Sequence, residues 1–161
     1  MKNYVEIVAK YYKEFRVTCN GDSSDYSTLI WDTDSVSQAD LDSKYLEFYK
    51  ASRNSEIDSR TGELIKQGFS YKSSLFSLSE PAQINWIGIM QAASSNIITY
   101  PMSITTIDDC EYELVDAPDV TGFYLTGLGT KTAYLDSGRA LKMAVEASVS
   151  TMQVDSIIDN R

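Results

Sequence analysis

The sequence predicts an α+β protein, and three observations predict it. Residues 69–78 and residues 102–114 each place aromatic or branched side chains at alternating positions around a short polar cluster, the pattern of a β-hairpin. Between them, from Ala82 to Ala93, apolar residues fall on nearly every face over a helix length. A further alternation near the N-terminus, preceded by an amphipathic stretch, sets a smaller helix–hairpin module in front of that unit.

Within residues 3–15, Tyr4, Val8, Tyr11 and Phe15 make one stripe, flanked by Val5, Ile7 and Tyr12, which predicts an amphipathic helix. A strand is expected around residues 16–20, a turn over Gly21 to Asp25, and a second strand from Tyr26 to Trp31. Ser37 stands as the cap of the next helix, with Asp40 in the capping-box position and Leu41, Tyr45 and Phe48 on one face. After Tyr49 that face fades, since residues 51–67 keep only Ile57, Leu64 and Ile65 as large apolar side chains. This stretch is expected to be a solvated helical spacer, or a helix packing only on another subunit, and to separate two modules.

In the first central hairpin, Phe69, Tyr71, Phe76 and Leu78 alternate around Lys72-Ser73-Ser74. With no glycine at the tip, a loop longer than two residues is expected. Ser79 then caps a helix that has Glu80 and Pro81 in its first turn, and Trp86 falls in its core. Apolar side chains all round predict that this helix is buried. In the second hairpin a three-residue loop from Ile107 to Asp109 pairs Met102 with Leu114 and Ile104 with Tyr112. That register gathers the large side chains on one face and leaves Thr105, Glu111 and Glu113 on the other, with Ile107 stranded at the loop. Residues 116–119 break the strand and start a helical stretch interrupted by Gly122, Gly127 and Gly129. A helix is expected from about Lys131 to Ser148, then a last short one capped by Ser150 with Gln153.

At 161 residues the chain buries roughly two-thirds of its unfolded surface. It holds 14 basic and 23 acidic residues, a net charge of −9 without a basic stripe, so neither nucleic acid nor a membrane is an expected partner. Two cysteines, Cys19 and Cys110, give no disulfide framework. No apolar leader is read at the N-terminus, where Glu6, Lys10, Lys13 and Glu14 intervene, so use without signal-peptide export is expected.

The absence of histidine excludes Ser-His-Asp and Cys-His nucleophiles and histidine metal sites. Asp22 with Asp25, and Asp32 with Asp34, lack the spaced acidic loop of a calcium site and are explained as turn and cap residues. Asp108-Asp109 and Glu111/Glu113 are explained by a hairpin tip and its solvent face. No catalytic, cofactor-binding or metal residues are therefore assigned, and no cofactor is expected. The 11 tyrosines point toward binding, because tyrosine buries area while keeping a polar tip. The candidate protein interface is the aromatic N-terminal set Tyr4, Val8, Tyr11, Tyr12, Phe15 and Trp31.

The runs GFSYKSSLFSLSEPAQINWIGI, YPMSITTIDDCEYEL and LDSGRALKMAVEASVSTMQVDSI together resemble an uncharacterised domain family of tailed bacteriophages. Its members stand at the C-terminal end of tail-fibre or tail-associated proteins. The resemblance covers about residues 55–160; residues 1–50, with DYSTLIWD, are similar to small phage tail-region modules. The family carries glycine at its hairpin tips, where this chain has Ser73 and Asp109. The resemblance implies a docking module at 1–50, a helical linker at 51–67 and a tail-associated α+β domain at 68–161. It implies a non-enzymatic virion structural or adaptor subunit, a symmetric oligomer among other phage tail or fibre proteins. A tail-fibre assembly chaperone absent from the finished particle, or a carboxylate-dependent hydrolase of host surface polymer, are the alternatives.

Overall fold

The computed structural model describes residues 2–32 and 34–161. In chain order it contains α1 (Tyr4–Tyr11), β1 (Val17–Cys19), a 3-10 turn (Tyr26–Thr28), β2 (Leu29–Trp31), α2 (Gln38–Gln67), β3 (Phe69–Tyr71), β4 (Ser74–Phe76), α3 (Glu80–Ser94), β5 (Met102–Thr105), β6 (Glu111–Leu114), α4 (Ala117–Ala147) and α5 (Thr151–Asp155). The fold is α+β, with three separate two-stranded antiparallel hairpins among the described residues. The chain divides into two compact units, residues 1–56 with 141–161, and residues 57–140. The boundaries expected from the sequence were 1–50, 51–67 and 68–161; in this division residues 141–161 group with the N-terminal ones. Side chains of α2 explain the grouping, since the Tyr49 hydroxyl donates to Asp155 Oδ1 (2.5 Å), Lys50 Nζ to the Glu146 carbonyl (2.6 Å) and Arg53 Nη2 to the Ile157 carbonyl (2.7 Å).

In the first unit, Asn3 caps α1 by accepting from the Glu6 N–H (3.2 Å). The helix stops at Tyr11 rather than running to Phe15, because the chain turns there to lay Phe15 edge-on against Trp31, 6.4 Å between ring centres. Asp22 and Asp25 serve the turn before β2, accepting from the N–H groups of Ser24 (2.8 Å) and Ser27 (2.9 Å). Tyr4, Ile7 and Val8 of α1 pack on Leu29, Val36, Leu41 and Tyr45. The Ser37–Asp40 cap forms as expected, with the Asp40 N–H donating to Ser37 Oγ (3.2 Å). The spacer expected at 51–67 is instead a continuation of α2, whose part in the second unit carries a buried stripe of Ile57, Thr61 and Leu64 at helical spacing.

The second unit is built around a cluster of rings in edge-on and tilted contact. Phe69, Phe76, Trp86 and Phe123 lie 4.8–5.7 Å from one another wherever they pair. The first hairpin pairs Tyr71 with Ser74, so its turn is the two residues Lys72-Ser73 and not a longer loop. Both take positive φ (44° and 70°), as a turn matched to the strand twist demands. Each non-glycine residue in that region costs about 1–2 kcal/mol; Lys72 is held there by an ion pair to Asp119 at 2.7 Å. The second hairpin has the expected register, Met102 with Leu114 and Ile104 with Tyr112. Its loop closes through the Asp109 N–H on the Thr106 carbonyl (3.2 Å) and the Thr106 N–H on the Cys110 carbonyl (2.9 Å), with Asp109 at φ 56°. Ile107 is not stranded: its N–H donates to the Leu75 carbonyl (2.9 Å), tying this loop to β4.

Two helical expectations change. α4 is one unbroken helix from Ala117, and Gly122 and Gly127 admit rings rather than interrupt it. A Cβ on Gly122 would stand 2.8 Å from the Tyr71 hydroxyl, and one on Gly127 would stand 3.0 Å from Phe69. α3 is not buried all round. It turns Trp86 and Ala93 inward, whereas Ile84 is 69% and Ile87 is 53% exposed. Two small hairpins and α4 cover only one side of a 15-residue helix.

Candidate interaction surface

The structure gathers the six residues of the predicted interface in one cluster, partly as its core and partly as its rim. Tyr4 and Val8 are each 1% exposed and belong to the core of the first unit. Tyr11, Tyr12, Phe15 and Trp31 are half-buried and pack against that core. The reason is size: a unit this small fills its interior with the aromatic stripe itself. The Tyr4 hydroxyl donates to Asp42 Oδ1 (2.6 Å), and Lys2 Nζ to the same oxygen (2.8 Å). Burial first, then the Asp42 bond, holds the Tyr4 hydroxyl above its ordinary pKa.

The strongest polar cluster joins the first central hairpin to α4. Asp119 Oδ1 accepts from the Tyr71 hydroxyl and from Lys72 Nζ (2.7 Å each), and Oδ2 accepts from the Val115 N–H (3.1 Å). Asp116 completes the helix start by accepting from the Asp119 N–H (2.8 Å). Burial raises the Asp119 carboxyl, but the bonds from Lys72, Tyr71 and Val115 outweigh it and hold the group below its ordinary value. Burial, and then Asp119, pushes Tyr71 up to about 12. Both groups therefore keep one protonation state around neutral pH, and the cluster fastens the hairpin rather than moving protons. Asp108, Asp109, Glu111 and Glu113 lie exposed at the tip and on the outer face of β5–β6, as the sequence reading had them.

α3 carries exposed apolar surface beside a groove. An open groove of ≈ 640 Å³ runs between this helix and β5. Asn85, Gly88, Ile89 and Ala92 line it from the helix, Met102 and Ile104 from the strand. On the other flank, Ile87 and Trp86 border a smaller depression of ≈ 50 Å³ shared with Leu128 and Lys131 of α4. Ile84 and Ile87 stand between the two, side chains that a helix of a closed core would bury.

Lys131 stands on the α4 flank of this surface, donating to Gln83 Oε1 of α3 (2.6 Å), whereas the β5–β6 side is acidic. From Lys72 to Lys131 the sequence contains no basic residue, while Glu80, Asp108, Asp109, Glu111, Glu113 and Asp116 are all exposed. Among the described residues no group of three or more metal-ligating side chains gathers, and no helix is long and apolar enough to cross a membrane. The sequence held a signal for the exposed side of α3. Asn85, Gly88 and Gln91 interleave with Ile84 and Ile87, and polar or small residues on that arc mark it as facing solvent.

No protein-family model matches the chain, and neither a curated protein nor a solved structure is significantly similar to it.

Proposed function

We propose that the chain is a non-enzymatic structural or adaptor subunit that associates with other proteins through the outer face of α3 and the groove beside it. The observation that carries this reading is the exposure of Ile84 and Ile87 at 69% and 53% next to an open apolar groove. Contiguous exposed apolar surface rimmed by polar residues is the mark of a protein-binding face. The setting proposed for it, the tail or tail-fibre region of a bacteriophage particle, is supported by the resemblance of residues 55–160. The docking role moves from residues 1–50 to the second unit, because Tyr4 and Val8 are core residues.

The test is incorporation. Mass spectrometry of purified particles is expected to find the wild-type chain, and an Ile84→Asp/Ile87→Asp double variant is expected to be missing from them while melting like wild type. Incorporation of the double variant at the wild-type level would refute the α3 assignment. Wild-type chain present during assembly but absent from finished particles would replace the subunit with an assembly chaperone.

A further inference from the structure

We propose that the free edge of β5 is a strand-docking site that takes an extended segment of a partner protein carrying alternating apolar and basic residues. The inference rests on the reading of the α3 groove as an association surface and gives its occupant a chemistry.

The edge follows from the hairpin register. The Thr106 N–H bonds the Cys110 carbonyl, so Thr106 occupies a hydrogen-bonded pair. Pair types alternate along an antiparallel ladder. Ile104 and Met102 therefore bond to Tyr112 and Leu114, while Ser103 and Thr105, opposite Glu113 and Glu111, point their N–H and C=O groups away from β6. Among the described residues no strand pairs with β5 on that side. The same two residues line the ≈ 640 Å³ groove, with α3 as its far wall. A helix facing an open strand edge accepts a peptide as an added strand, its main chain bonding the edge and its alternate side chains entering the groove. The four residues of β5 offer about 13 Å of edge at ~3.3 Å per residue, enough for a short extended segment.

Side chains of that segment divide between two faces. Those beside Met102 and Ile104 enter the groove against Ile89 and Ala92, and so are apolar. Those beside Ser103 and Thr105 share the outer face with Glu111 and Glu113, which an added strand places about two strand spacings away, roughly 10 Å. Those two carboxylates, with Asp108 and Asp109 exposed at the hairpin tip, select lysine or arginine there. The same charge opposes a second copy of the chain, which would set acidic hairpin against acidic hairpin.

The probe is a capped octapeptide alternating valine and lysine, with a valine–glutamate octapeptide as control and NMR of the labelled full chain as readout. The valine–lysine peptide is expected to shift and protect the Ser103 and Thr105 amides, more weakly as salt rises. The control peptide is expected to leave them unchanged. N-methylation of the peptide amides along one edge, or Thr105→Pro in the protein, is expected to abolish the effect. The methylated peptide keeps the test decisive if the proline variant does not fold. Absence of protection at millimolar peptide, or binding that survives N-methylation, overturns strand docking. Protection of both amides without peptide, in a chain that sediments as a dimer, overturns the basic partner in favour of a second copy. Particle incorporation that depends on Ile84 and Ile87 but not on Thr105 sinks the strand reading alone and leaves the association surface standing.

Discussion

Gly127 and Gly129 lie two residues apart in α4, and a Cβ added to them meets opposite surroundings. At Gly129 nothing lies within 4 Å. Gly129→Ala should therefore stabilise by about 1 kcal/mol, the difference in helix propensity alone. At Gly127 the same methyl would stand 3.0 Å from Phe69 Cζ and 3.1 Å from Trp86 Cζ3. These ring atoms cannot yield as a flexible chain end would, because Phe69 lies 5.1 Å from Trp86 and 5.2 Å from Phe123 in centre-to-centre contact. Overfilling a packed core costs about 1–3 kcal/mol. Set against the same gain of about 1 kcal/mol in propensity, Gly127→Ala should range from neutral to about 2 kcal/mol destabilising. Propensity cancels in the difference between the two variants, which leaves the ring contact of about 1–3 kcal/mol. Urea unfolding followed by tryptophan fluorescence and by circular dichroism measures that difference. Thermal melts should separate the variants by about 2–4 °C per kcal/mol for a chain of this length. Equal stabilities for the two variants would show that the rings do not close on α4 at Gly127, and the account of the second unit's core would fail with them.

Trp86→Ala should cost about 3–5 kcal/mol in the same urea assay, because the indole is buried against Phe69 and Phe123; a loss below about 1 kcal/mol would place it on the surface. Asp119→Asn should cost about 1.5–3 kcal/mol at neutral pH, the worth of a hydrogen bond to a charged group. The folded carboxyl lies below its ordinary value of 3.8, so its contribution is complete above that pH and fades as pH falls through the lower folded value. Wild type and variant should therefore converge in acid, and a gap that stays constant down to pH 2 would refute the assignment. Ser73→Gly should raise the melting temperature, since Ser73 holds φ 70° without the freedom of glycine; a lower melting temperature would show that its side chain supports the turn.

What the sequence disclosed depended on whether the deciding interaction was local. The register of the second hairpin could be read from Met102, Ile104, Tyr112 and Leu114, because a one-residue slip would have exchanged its faces. The caps at Ser37, Ser79 and Ser150 are local as well, and each forms. The turn of the first hairpin was not readable in this way. Lys72 accepts positive φ beside an acidic partner 47 positions along the chain, and nothing near residue 72 announces it. Gly122 and Gly127 looked like breaks in a helix because the rings that need their space come from β3 and α3. The aromatic N-terminal stripe looked like an interface for the opposite reason. Its pattern was correct, but the composition could not show that Tyr4 and Val8 close the interior of a small unit while Tyr11, Tyr12, Phe15 and Trp31 stay half-buried around it.

The two edges of the β5–β6 hairpin argue that the groove is open by construction. A two-stranded sheet has two exposed edges, and proteins usually blunt an exposed edge with charge or proline on the edge strand itself. β6 follows that rule. Glu111 and Glu113, whose main-chain groups point to its outer edge, bring two carboxylates there. β5 does not follow it: at the matching positions it carries Ser103 and Thr105, uncharged and small. Proline comes only at residue 101, where it ends the edge without covering it. If the acidic residues served solubility alone, the strand beside the apolar groove would need them most, yet all of the charge lies on its partner and at the tip. One edge is guarded and the other is left able to pair, beside the helix that exposes Ile84 and Ile87. That asymmetry is what separates a docking edge from a merely short one.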